Sequence, residues 1–212
     1  MINNPPRLSF LFPLLLLFSF TSGSSQTTRP STARPLTDEI GQLMQAFKKC
    51  SNSGGKADCE AFFNLFPDRF ETFSSIYGYD DEQGAMPLYE DAYEHVTLFF
   101  RLQSVVPKPD FAKKVIRLGI GGKWDADAVN YLQEGLCEFV AANPEAALTA
   151  LQAYSAGEIS GFWHFFYDGP HPDNAENKAL FEQLYKSLLQ SDKKAAEVMR
   201  AEYQLVLKQE HH

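Results

Sequence analysis

The segment Phe162–Asn174, FWHFFYDGPHPDN, gathers His164, Asp168, His171 and Asp173 within ten residues, flanked by Trp163 and Tyr167. Imidazoles and carboxylates at a helix end and the following loop are the donor types that bind Zn²⁺ or a similar divalent ion. A metal-dependent hydrolase would use His164, Asp168 and His171, joined by His95 if that residue met them across the fold. The spacing matches no established metal motif, and neither HEXXH nor paired CxxC is present. The plainer expectation is that the aromatics pack inside, Asp168-Gly169-Pro170 turns, and Asp173 with Glu176 forms a capping box.

A second concentration lies at YGYDDEQG, Tyr77 to Gly84. Asp80, Asp81 and Glu82 could attract Ca²⁺, but the alternating ligands and closing Glu of an EF-hand loop are missing. Tyr77 and Tyr79 carry both apolar area and a hydrogen-bonding tip, which suits a surface that holds a peptide or sugar. The expected binding surface is therefore Tyr77, Tyr79, Asp80 and Asp81, with Trp163 and Tyr167. GIGGK at Gly119–Lys123 lacks the Ser/Thr and the preceding strand of a phosphate loop. Ser155 and Ser160 sit near glycines without forming G-x-S-x-G. No cofactor is implied.

The elements that must carry these residues read as helices. In PLYEDAYEHVTLFFRLQ, Pro87 to Gln103, Leu88, Ala92, His95, Phe99 and Leu102 fall on one face. Tyr89, Tyr93, Val96 and Phe100 fall on an adjacent one, so this helix is expected to pack on several sides. His95, with Glu94 beside it and Glu90 one turn before, is expected to be buried and hydrogen-bonded. Further helical patterns run through residues 37–49, 56–65, 67–77, 110–118, 125–142, 146–154, 155–167, 174–190 and 192–210. Strand signals are nearly absent. The expectation is an all-α domain over residues 37–212, with about nine helices in an irregular antiparallel bundle or short helical-hairpin array.

The N-terminus has the order of a secretory signal. Arg7 precedes an apolar run, Leu8 to Phe20, and small residues Thr21–Ser25 follow. Residues 1–25 are read as a signal peptide cleaved between Gly23 and Gln26, and 26–36 as a flexible Thr/Ser/Pro-rich tether. The run is too short for a comfortable span, so no stable membrane insertion is expected after cleavage. Export to the periplasm or the extracellular space agrees with a disulfide between Cys50 and Cys59, which flank the turn SNSGG. Cys137 is left over and reads as a buried thiol.

Apolar residues make up 44% of the chain, enough for a real core, and the formal net charge is −8. That charge repels phosphate backbones, which argues against nucleic acid as a partner. Taken together, IYGYDDEQGAMPLYEDAYEHVTLFF and WHFFYDGPHPDN resemble uncharacterised exported helical proteins of bacteria; the resemblance carries no activity to this chain. The functional expectation is an exported acidic binding protein that engages a protein or peptide, inhibitor- or immunity-like. The alternatives are the metal-dependent hydrolase and a structural envelope protein.

Overall fold

In the computed structural model, the described residues are 37–209. The expected signal peptide and tether lie outside them. The described chain is all-α, apart from one minute hairpin. Ten α-helices follow in order: α1 Thr37–Ser53, α2 Lys56–Leu65, α3 Phe70–Tyr77, α4 Ala92–Arg101, α5 Lys108–Gly119, α6 Ala128–Ala142, α7 Pro144–Leu151, α8 Ala156–Tyr167, α9 Ala175–Ser191 and α10 Lys193–Gln209. The hairpin pairs β1, Tyr79–Asp80, antiparallel with β2, Gly84–Ala85, between α3 and α4.

Helices pair as neighbours in the bundle: α1 on α2, α4 on α6, α5 on α7, and α10 on both α8 and α9. Phe99 of α4 sits at the centre of an aromatic stack. Its ring lies 4.3 Å from Phe66, 5.2 Å from Phe111 and 5.9 Å from Phe63. Each fully buried ring of this kind contributes roughly 1.5–3 kcal/mol. A second cluster surrounds α8, where Tyr167 packs on Tyr203 of α10 at 4.7 Å and Trp163 on Phe166 at 5.3 Å. The Cys50–Cys59 disulfide joins α1 to α2, with Cα atoms 4.6 Å apart. No described helix is long and apolar enough to cross a membrane.

Close helix approach has its own sequence requirement at Gly135. A Cβ there would penetrate the Phe100 ring, so the α4–α6 crossing depends on the missing side chain.

Three local expectations are corrected. The helix expected over Pro87–Gln103 is α-helical only over Ala92–Arg101. Its first residues form turns because the Leu88 N–H is taken by Ile76 O at 2.9 Å, and it ends in a 3-10 turn, Leu102–Ser104. The helix expected over residues 125–142 starts later, at Ala128, after Asp127, whose φ is 55°. The cap of α9 is Asn174, whose Oδ1 accepts from Asn177 N at 2.8 Å, rather than Asp173. At α8 a full capping box forms between Ser155 and Glu158.

Candidate functional site

Four tyrosines meet on one face, where the hairpin, the turn before α4 and the start of α6 converge. Asp80 Oδ1 accepts from the N–H groups of Glu82 (3.0 Å) and Gln83 (2.8 Å), which folds the tip of the hairpin. Met86 N donates to Gly78 O at 3.0 Å, fastening the hairpin to the end of α3. This fixed ribbon turns Tyr79 outward, where it is 57% exposed and packs edge-on against Tyr89 at 6.0 Å. Four residues beyond Tyr89, Tyr93 is 61% exposed and packs edge-on against Tyr131 at 5.2 Å.

Asp127 ties the two pairs together. Its carboxylate accepts a short hydrogen bond from the Tyr89 hydroxyl, and its carbonyl accepts from Tyr131 N at 3.1 Å. That hydrogen bond is the main cause that pushes the Tyr89 phenol up to about 12, aided by burial and the Asp127 charge. Asp127 also has the one positive φ among the described non-glycine residues, 55° with ψ −115°. Such conformations cost about 1–3 kcal/mol and persist where surrounding contacts over-determine them. Here the residue must both open α6 and hold a tyrosine.

Carboxylates neighbour these tyrosines along the chain: Asp80, Asp81 and Glu82 follow Tyr79 in the hairpin, Glu90 follows Tyr89, and Glu94 follows Tyr93 in α4. Among the described residues, none of these five lies within ion-pair distance of a cation. The face therefore presents electron-rich ring surfaces beside uncompensated negative charge. Guanidinium and ammonium groups are the chemistry that such a surface attracts.

The six residues expected on a binding surface divide evenly. Tyr79, Asp80 and Asp81 are on this face. Tyr77, Trp163 and Tyr167 are each 0% exposed and belong to the core, so they line no groove. Tyr77 ends the buried stripe of α3, and α8 is apolar on so many sides that Trp163 and Tyr167 are enclosed. Tyr167 donates to Met199 Sδ at 3.6 Å.

The four residues considered as metal ligands have separate occupations. His95 is enclosed by Phe47, Phe62 and Tyr77, with ring centroids at 4.0, 5.8 and 5.7 Å. His164 Nδ1 lies 3.3 Å from Glu202, whose carboxylate also accepts from the Ser160 hydroxyl. That hydroxyl faces a carboxylate and not the imidazole, so the trio lacks the serine–histidine bond that nucleophilic catalysis needs. Asp168 closes a loop by accepting from Trp124 N at 3.1 Å and Gly169 N at 3.0 Å. His171 is exposed in the turn before α9. Among the described residues, no group of three or more His, Cys, Asp or Glu is placed to hold a metal ion.

Sequence reasoning put Tyr89 and Tyr93 on an inward face and passed over Tyr131 and Asp127. The available signal was residue choice: the segment uses Phe at 99, where it is buried, and at 100, where it is half-buried, but Tyr at 89 and 93. No protein family, curated protein or solved structure matches this chain.

Proposed function

We propose that this protein is an exported binding protein whose tyrosine–carboxylate face captures a Lys/Arg-bearing segment of another protein. One observation carries the reading: Tyr79 and Tyr93 stand outward beside carboxylates in the chain that no described cation neutralises. Tyrosine is suited to this role because it offers a large contact area at low conformational cost. Export is supported by the signal-like order of residues 1–25 and by the Cys50–Cys59 disulfide. An inhibitor- or immunity-type protein works in this way, occupying a partner's basic surface without chemistry of its own. The hydrolase reading draws no support from the surroundings of His164, Asp168, His171 and His95.

The test is fluorescence anisotropy with a labelled Arg–Ser repeat peptide, and a Glu–Ser repeat as control. The wild-type chain should bind the first and ignore the second, with affinity falling as salt rises. Tyr79→Ala with Tyr93→Ala, and separately Asp81→Lys with Glu82→Lys, should each weaken binding by about tenfold or more while the circular dichroism spectrum is unchanged. Equal affinity for both peptides, or no loss in either double variant, would overturn the reading.

A further inference from the structure

A cleft of about 970 Å³ opens between α5 and α7, with the end of α2 forming its third wall. Its lining carries four cationic side chains against three carboxylates, in a chain whose formal net charge is −8. Lys108, Lys113, Lys114 and Arg117 all reach it from α5, while Phe63, Pro109, Pro144, Ala146, Ala150 and Tyr154 give it apolar walls. Three carboxylates also line it. Asp68 is held by Arg117 at 2.7 Å, and Asp110 lies 3.9 Å from Lys113. Glu145, in the first turn of α7, has no cation within pairing distance among the described residues.

Among the described residues, Lys108 and Lys114 have no carboxylate partner. Lys114 extends over the Phe63 ring, 4.8 Å from its centroid, and donates to the backbone carbonyls of Phe63 and, at 3.4 Å, Asn64. An ammonium has three N–H donors, so one of Lys114 remains to be satisfied. The Arg117 fork likewise keeps donors beyond its bond to Asp68. At the cleft's other side the side chain of Asn143 turns back, its Nδ2 donating to Phe139 O at 3.1 Å. It therefore leaves α7 without a side-chain cap.

From this charge count and these walls we infer that the α5–α7 cleft is a binding site for an amphipathic carboxylate: one anionic head with an apolar chain. The head fits between Lys108, Lys114 and Arg117, and the chain lies along Ala146, Ala150 and Tyr154. A single negative charge matches the surplus of one cation lining the cleft. Clefts of this size, mostly apolar with a few convergent polar groups, are those that hold small ligands. The site is independent of the tyrosine face and does not depend on the reading given to it.

The probes are decanoate and decanol, which share a chain and differ in the head. Isothermal titration of the full chain should show decanoate binding with a Kd of about 0.1 mM, and decanol at least about fivefold weaker. Lys108→Gln, at an exposed residue, should weaken decanoate and leave decanol unchanged. Thr149→Trp, also exposed, should fill the cleft and abolish binding of both. NMR amide shifts under decanoate should map to α5 and α7. Equal binding of the two probes would show an apolar cleft that does not read the anion, and would overturn the proposal. So would the absence of decanoate binding, or binding that survives Thr149→Trp.

Discussion

The Tyr77 hydroxyl and Nδ1 of His95 lie 2.9 Å apart in a buried hydrogen bond between α3 and α4. His95 is 2% exposed, and burial pulls its pKa down to about 4, against a smaller upward pull from Asp91. In the unfolded chain it returns to about 6.5. Between these values the unfolded state binds more protons, so stability rises with pH from 4 to 6.5 and is fully present above. Acidification from pH 7 to 4 should cost about 3 kcal/mol through this residue. Urea denaturation across that range checks it: His95→Gln, which can still bond Tyr77, should remove this share of the pH dependence.

The half-buried Tyr89 should resist ionisation. Its phenol is pushed up to about 12, first by the hydrogen bond to Asp127. Asp127→Asn tolerates the same backbone and removes the charge, so the Tyr89 phenol should ionise at lower pH. Ultraviolet difference titration of the variant against wild type, with Tyr89→Phe as the assignment control, measures the change.

Gly135→Ala ought to destabilise, although a glycine inside a helix usually gains from that substitution. The added methyl meets the Phe100 ring, and overpacking of this kind costs about 1–3 kcal/mol. Thermal unfolding should show a lowered midpoint, and Phe100→Leu in the same chain should recover part of the loss.

The Cys50–Cys59 bond closes a short loop between α1 and α2. On the chain-entropy account it contributes about 2–3 kcal/mol. Denaturant midpoints of the wild type with and without reductant, and of a Cys50→Ser, Cys59→Ser variant, should agree on that loss. An unchanged midpoint would mean that α1 is held by packing alone.

Cys137 should be silent to thiol reagents until the chain unfolds. Burial pushes its thiol up to about 12, with Glu138 and Glu134 adding to the shift, and Sγ donates to Phe166 O at 3.6 Å. A colorimetric thiol assay without reductant should read no reactive group in buffer and one per chain in denaturant.

The helices were legible because their apolar residues recur at helical spacing: Phe62, Phe63 and Phe66 at the end of α2, or Leu132, Leu136, Phe139 and Val140 on α6, are all buried as read. His95 was legible for the same reason. The tyrosine face was not. Tyr89 and Tyr93 share spacing with Val96 and Phe100, and periodicity cannot tell a ring that packs from one that stands outward. Asp127 meets Tyr89 across 38 residues of sequence, a relationship set by tertiary structure. The two-residue strands are too short to show any alternation. The cluster at 162–174 drew notice for its donor types, yet α8 spends Trp163 and Tyr167 on the core and His164 on Glu202.

Three thiols allow three pairings, and the chain distinguishes them before it has any structure. Cys50 and Cys59 are separated by 9 residues, whereas Cys137 is 78 positions beyond Cys59. Loop closure weakens as the three-halves power of length, so the short pairing is favoured by roughly 25-fold in an unstructured chain. Docking of α8 on α6 then covers the Cys137 sulfur against Phe166 and withdraws it from exchange. Oxidation is thus steered to one product by proximity first and by burial second, so air oxidation of the reduced chain should reach that product without an isomerase.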